Sequence, residues 1–421
     1  MSIDIKQQPS RAMFLGWVVL LWGISAGMAT GQETQTSKEA VDASSLHGKA
    51  LCGYQGWFRC PDDGTRSSWL HWSRRRQITP ESLTFEMWPD LSEFTPEEKF
   101  AVSGFTHADG SQAYLYSSTH PKTIRRHFDW MQQYGIDGVF VQRFLVNLRQ
   151  RSFDTVLEHV RTSAKETGRV YGVCYDLSGY PAERIVERLT DDWKQLVDQR
   201  KLTADDRYIH HNNRPVVFIW GLYPDRFNAE IAHQLLDFFH ADGPYQATVI
   251  GGVPWTWRRE DDQRWVEAFR KLDVVSPWNH GNILERRGKK IANTRMWKEE
   301  LAATKEAGGE YLPVVYPGFA WTNLKGTGAK NATIDRRGGE FFWEQCVAAA
   351  KLQTGMIYVA MFDEVDEATA IFKVTNDPPQ QAHFDTYEGL PSDWYLRLTG
   401  EATKLMRGDI PLTEEIPISP E

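Results

Sequence analysis

Cysteine is scarce. The 421 residues hold 4, at positions 52, 60, 174 and 346; their spacing fits no metal motif, and so few make no disulfide framework. Cys174 and Cys346 lie in apolar segments and read as small core residues. Cys52 and Cys60 are near enough to pair in an exported protein, and whether they do is left open by the spacing. Excess positive charge is also missing: the net charge is −8, against the basic face that a nucleic-acid partner requires. The run Arg74-Arg75-Arg76 is local, is followed by Glu81 and Glu86, and reads as a solvated loop. Beyond residue 24 no apolar run approaches the eighteen residues of a membrane helix, so no integral span is expected in the mature chain. No glycine-rich phosphate fingerprint follows the first apolar run, because Gly53 and Gly56 do not form G-x-G-x-x-G.

What the chain does have begins at its N-terminus. Lys6 and Arg11 precede an apolar stretch from Met13 to Ile24, and the small residues Ala26, Gly27 and Ala29 follow. That is the layout of a secretory signal peptide over 1–31, which predicts an exported or periplasmic protein. A polar linker over 32–45 follows, then one domain over 46–407 and a loose tail over 408–421. Asn331-Ala332-Thr333 fits a glycosylation acceptor. Hydrophobic residues make up 41% and aromatics 13%, with 17 Trp and 15 Tyr. Buried Trp and Tyr each need a partner for their polar atom, so a surplus of rings reads either as an aromatic core or as a cleft that stacks flat, partly apolar ligands such as sugars.

Short apolar runs alternate with amphipathic stretches along the domain. The runs are 50–58, 136–144, 169–175, 215–220, 247–253, 274–278, 311–316 and 356–362. Helical periodicity follows at 120–133, 153–167, 181–200, 226–240, 261–271, 293–307, 337–353 and 392–406. Thr119 is the expected cap of the first helix and Pro121 opens it. Residues 59–119 form a long insertion after the first strand, within which Leu83 to Trp88 alternates as a short strand does. Eight strands and eight helices predict a (β/α)8 TIM barrel in one domain.

In such a barrel the residues just past each strand converge on one mouth. Those positions supply Tyr54, Gln55 and Trp57, then Gln142 and Arg143, then Asp176, Trp220, Trp255 and Trp257. Trp278, Asn279 and His280 follow, then Tyr316, Phe319 and Trp321. Rings for sugar faces, with polar groups for hydroxyls, compose a carbohydrate cleft. The eighth run passes directly into Asp363, Glu364, Asp366 and Glu367. Glycoside hydrolysis requires two carboxyl groups flanking the scissile bond. Glu364 and Glu367 are the candidate pair, no more than about 10 Å apart along an extended chain. Crowding among the acids favours keeping one of them protonated. A divalent-cation site and a non-catalytic sugar-binding barrel stay open as alternatives, although the spacing is not that of an EF-hand.

The segment Phe362-Asp363-Glu364-Val365-Asp366-Glu367-Ala368-Thr369 resembles the Trp-Asn-Glu-Trp-x-Glu-x-Thr signature of the endo-α-mannosidase-like glycoside hydrolases of families 99 and 71. Both glutamates and the threonine fall in register. Gly53-Tyr54-Gln55-Gly56-Trp57-Phe58 is similar to that family's first strand, and Tyr134-Gly135-Ile136-Asp137-Gly138-Val139 to its second. The resemblance implies a (β/α)8 retaining glycosidase acting on carbohydrate without a metal or other cofactor. It implies Glu364 as the base that deprotonates the substrate's own 2-hydroxyl, giving a 1,2-anhydro sugar. Glu367 would be the acid that protonates the leaving oxygen, with Asp366 as a competing acid. Phe362, Asp363 and Val365 stand where the signature has Trp, Asn and Trp, so a different pocket floor is expected.

Overall fold

The alternating runs fold into a barrel of eight parallel strands ringed by helices. The computed structural model describes residues 40–326 and 333–421; the expected signal peptide, most of the linker and Asn331-Ala332 of the glycosylation acceptor lie outside the described residues. The strands are β1 Lys49–Tyr54, β2 Gly138–Phe144, β3 Val170–Asp176, β4 Arg214–Trp220, β5 Thr248–Pro254 and β6 Val274–Trp278. β7 comes in two pieces, Glu310–Tyr311 and Val314–Val315, and β8 is Met356–Val359. β1 to β6 are neighbours in chain order and β8 flanks β1 on the other side. β7 closes the ring, its first piece pairing with β6 and its second with β8. Pro313 has no N–H to give to the ladder at the break, yet its carbonyl accepts from the Tyr358 N–H at 3.0 Å, while the Leu312 N–H reaches the Val275 carbonyl at 2.9 Å.

The helices are α1 Pro121–Tyr134, α2 Arg151–Thr167, α3 Ile185–Asp198, α4 Ala229–His240, α5 Gln263–Arg270, α6 Trp297–Glu306, α7 Glu340–Lys351 and α8 Trp394–Arg407. α1 and α2 stop at Gly135 and Gly168, whose φ values of 77° and 69° suit only a residue without Cβ strain. Asn228 and Asp262 cap α4 and α5 through side-chain oxygens. None of the described helices is long and apolar enough to cross a membrane.

Two cores follow from the period of two along each strand. Leu51, Phe140, Cys174, Phe218, Ile250 and Tyr358 fill the barrel interior, with the Phe140 and Phe218 rings 5.5 Å apart and Phe218 and Tyr358 5.2 Å apart. Their strand neighbours Cys52, Tyr54, Val139, Val141, Val173, Tyr175 and Ile219 face the helices.

Several expectations are corrected. His120, not Thr119, occupies the position before α1; the Thr119 hydroxyl is turned to Ser117 instead. The first and eighth strands end earlier than their apolar runs, leaving 55–58 and 360–362 as loop at the mouth. Leu83 to Trp88 is buried but makes only isolated bridges, such as Met87 with Asp385. The strands of the insertion are instead the hairpin Phe100–Thr106 with Gln112–Leu115. A second hairpin, Ile283–Arg286 with Lys289–Ala292, was not anticipated. All four cysteines are buried free thiols, so Cys52 and Cys60 do not pair. The linker's end is pinned to the barrel by Val41 N–H to the Gly168 carbonyl and His210 N–H to the Ala43 carbonyl. The tail is docked rather than loose: the Trp343 indole N–H donates to the Thr413 carbonyl at 3.2 Å and Arg397 to the Ser419 carbonyl at 2.8 Å.

Candidate active site

Residues pointing inward at the last level of each strand leave the barrel interior and enter the mouth. Phe144, Asp176 and Trp220 are register partners across β2, β3 and β4, and Trp278 pairs with Pro254. These side chains wall a cavity of about 610 Å³, together with Gln55, Trp57, Gln142, His280, Phe319, Trp321, Met361, Glu364 and Glu367. The aromatic walls are mutually braced. Trp57 stacks on Phe144 at 5.1 Å, Trp220 meets Trp278 edge-on at 5.5 Å, and Phe319 meets Trp321 at 5.0 Å. None of residues 59–119 is among the lining; the insertion buttresses the mouth from one side.

After β8 the chain turns sharply. The Thr369 and Ala370 N–H groups both return to the Glu364 carbonyl, at 3.1 and 3.0 Å. This turn sorts the four acids. Glu364 lines the cavity, accepting from Gln55 Nε2 at 2.6 Å on Oε1 and from Thr369 Oγ1 at 2.8 Å on Oε2. Burial raises its proton affinity well above the usual carboxylate range, and the Glu367 and Asp366 charges add to this. Glu367 lines the same cavity half-buried. Burial raises its pKa too, and the Lys325 ammonium draws it back. Ionisation of Glu367 therefore disfavours ionisation of Glu364.

Asp363 and Asp366 do not reach the cavity. Asp363 is fully buried and accepts from the Gln55 and Gly56 N–H groups at 2.7 and 2.9 Å, fixing the loop after β1. Burial pushes its pKa up to about 6 against those two amides. Asp366 lies 3.6 Å from His71 Nδ1, and His71, held neutral by burial with a pKa of about 3, stacks on Trp57 at 4.0 Å.

Of the other expected site residues, Trp57, Gln142, Asp176, Trp220, Trp278, His280 and Trp321 line the cavity. Tyr54, Arg143, Tyr316 and Trp255 do not. Tyr54 and Arg143 have the outward parity of their strands: the Tyr54 hydroxyl bonds His127 Nδ1 at 2.9 Å, and Arg143 holds Asp192 at 2.8 and 2.5 Å. Tyr316 is covered by His280, its hydroxyl accepting from the Gly281 N–H at 3.3 Å. Trp255 is 39% exposed on the rim under Arg259. The expected change of pocket floor is also displaced: Phe362, Asp363 and Val365 are fully buried and line nothing. Missed lining residues include Phe144, Met361 and, from the second hairpin, Ile283 and Lys290. Its turn, Arg287-Gly288, has φ values of 51° and 74°, the two-residue geometry that a residue-Gly pair between alternating stretches signals.

Five lining side chains carry a buried polar atom with no partner among the described residues: Gln55 Oε1, Trp57 Nε1, Gln142 Oε1, Trp220 Nε1 and His280 Nε2. Burial lowers the His280 pKa to about 4, so it meets a ligand as a neutral imidazole. Unpaired buried polar atoms are costly, and donors and acceptors interleaved with rings are what a ligand of many hydroxyls would satisfy.

One cluster of metal-ligand type exists among the described residues, His47, His211 and Glu310, whose ligand atoms lie within 4.8 Å of one another. It sits at the strands' N-terminal ends, opposite the cavity. His211 Nδ1 accepts the Leu46 N–H at 3.2 Å, which makes Nε2 the protonated nitrogen that donates to Glu310 at 2.7 Å. The Nε2 lone pair that a metal would need is thereby lost.

Comparison with solved structures now bears on this arrangement. The GH99 endo-alpha-mannosidase from Bacteroides thetaiotaomicron superposes with a TM-score of 0.64 over 86% of this chain and 99% of that one, at 16% identity. The same enzyme in complex with BIS-TRIS-propane gives 0.64 at 17% identity, with the same coverage. The fold is that of a GH99 endo-α-mannosidase. No protein-family model and no curated protein matches the sequence. The likeness to these GH99 structures agrees with the barrel and with the resemblance read from the 362–369 segment.

Proposed function

We propose that the protein is an exported glycoside hydrolase that uses Glu364 and Glu367 as its carboxyl pair on an oligo- or polysaccharide. The observation that carries this reading is their joint placement: two carboxyl groups with raised proton affinity at the end of β8, in one cavity lined by Trp57, Trp220, Trp278 and Trp321. Glu364 receives two hydrogen bonds, which favour its charged form, while burial and the neighbouring acids raise its pKa against them; its role as the base rests on the family resemblance. The Glu367 carboxyl receives none among the described residues, and burial raises its pKa as it raises that of Glu364; its role as the proton donor rests on the same resemblance. In the sequence the family resemblance implies, Glu364 takes the proton of the sugar's 2-hydroxyl as that oxygen attacks the anomeric carbon. Glu367 gives its proton to the departing oxygen, then deprotonates the water that attacks the anomeric carbon as Glu364 returns its proton to the sugar's O2 and the anhydro ring opens. The signal-peptide layout of residues 1–31 supports export.

The test is hydrolysis of a panel of plant, algal and microbial glycans by wild type, Glu364→Gln and Glu367→Gln. Turnover by wild type that is lost in both variants is the expected result. Activity surviving in both sinks the assignment, and glycan binding without any turnover favours a sugar-binding barrel.

A further inference from the structure

The cavity wall at β7 is held from outside the barrel. Trp321 opens the short helical turn Thr322–Lys325. The Asn323 and Leu324 N–H groups of this turn both donate to Glu86 Oε1, at 2.6 and 3.0 Å. Arg74 donates to the carbonyls of the same two residues at 2.6 and 2.9 Å. Two insertion residues thus grip both polarities of one turn, and one of them belongs to the arginine run that the sequence presented as a solvated loop. Glu86 is 1% exposed. Its own backbone N–H bonds the Val365 carbonyl at 2.8 Å, between the two glutamates. The same residue therefore anchors the acid loop and the turn that faces it. Burial raises the Glu86 pKa to about 7 while the amides of residues 322–324 favour its charged form, and bonds from amides to a charged acceptor are the strong kind. Two features of the turn reach the site: the Trp321 ring lines the cavity, and the Lys325 ammonium, 5.3 Å from that ring, acts on Glu367.

We propose that Glu86 is a positioning residue that fixes Trp321 against the bound sugar and holds the turn that carries Lys325, a role that rests on the hydrolase reading of the cavity. The groups facing Glu86 are Asp385 and Asp366, together with the amides of residues 322–324. Glu367 faces Lys325, Glu364 and Asp366. Releasing the turn removes the one cation among the described residues that lowers the Glu367 pKa, so that pKa rises. If Glu367 is the proton donor, the alkaline limb of kcat/KM then moves to higher pH.

The experiment combines amide hydrogen exchange with pH–rate profiles on wild type, Glu86→Gln and Glu86→Ala. Above the Glu86 pKa of about 7, loss of a bond to a charged acceptor predicts exchange at Asn323 and Leu324 about ten- to a hundredfold faster in Glu86→Ala, and less in Glu86→Gln, which keeps an acceptor. KM should rise several-fold with the alkaline limb shifted upward, a shift that mere loosening of structure does not produce. Unchanged exchange overturns the proposal, and so does faster exchange with KM and the alkaline limb unmoved. Should Glu86→Ala not fold, Glu86→Gln combined with Arg74→Ala preserves the buried volume and is decided by the same readouts. If wild type hydrolyses no glycan, the hydrolase reading has failed, and the exchange rates still decide whether Glu86 holds the turn.

Discussion

Thr369→Val removes one atom group from the site and nothing else. The Thr369 hydroxyl is buried and donates to Glu364 Oε2 at 2.8 Å, and valine has nearly the same shape. This bond lowers the Glu364 pKa against burial and against the Glu367 and Asp366 charges, which raise it. A hydrogen bond to a charged group contributes about 1.5–3 kcal/mol, equivalent to roughly 1–2 pH units of proton affinity. Glu364 in the variant should therefore hold its proton to higher pH. If its carboxylate is the base, the acidic limb of kcat/KM shifts upward by roughly 1–2 units, with the plateau little changed. Thr369→Ser, which keeps the hydroxyl, should restore the wild-type profile. Stability moves in a consistent sense. The folded-state pKa of Glu364 lies above its unfolded value, so its contribution is fully present below the unfolded value and is lost as pH rises through the folded one. The variant should consequently lose more thermal stability than wild type at alkaline pH. An acidic limb that stays in place refutes the reasoning. Movement of the alkaline limb instead would make Glu364 the proton donor and exchange the two roles.

Three further outcomes are expected. Arg336 is buried, stacks over Tyr387 and Tyr395, and donates to the Ala368 and Ala370 carbonyls at 2.8 and 2.7 Å. Arg336→Met leaves the Ala368 carbonyl unsatisfied at about 1–3 kcal/mol and the Ala370 carbonyl with the Tyr387 hydroxyl at 3.3 Å, so calorimetry should show a thermal midpoint several degrees lower, and an unchanged midpoint refutes this. Trp278→Ala should raise KM about tenfold by removing a stacking face, whereas Trp255→Ala, on the exposed rim, should leave KM unaltered; equal effects would contradict the assignment of the wall. Because the His211 proton is committed to Glu310, EDTA and added zinc should both leave the thermal midpoint unchanged, and a zinc-dependent rise would overturn that reading.

The barrel was legible because its signal repeats. Each buried strand is a short apolar run and each helix an amphipathic one, and eight copies leave few other folds. Boundaries were less legible where residues leave the sheet without losing hydrophobicity. Ala360, Met361 and Phe362 are as apolar as the strand before them, yet they form the turn into the acids. The docked tail was illegible because Ile416 and Ile418 pack onto the core without any periodic pattern.

At the site, strand-end position alone proved too coarse, and the sequence held the finer rule. Side chains alternate along a strand, so only one parity enters the mouth. Phe140, Gln142 and Phe144 share the inward parity of β2, and Arg143 between them turns to Asp192 on α3. Tyr54 is outward on β1 by the same count. A parity test would have removed Tyr54 and Arg143 and admitted Phe144 before any coordinates. The acids escape this rule because they follow a turn, not a strand. There the departures from the family signature become informative. Phe362 packs among Tyr54, His127 and Phe372, Val365 is fully buried, and Asp363 uses both oxygens on the loop after β1. An asparagine at 363 has one acceptor oxygen and could not repeat this two-oxygen arrangement. The substitutions therefore alter how the turn is braced, while the two positions that retain the signature's glutamates are the two that face the cavity.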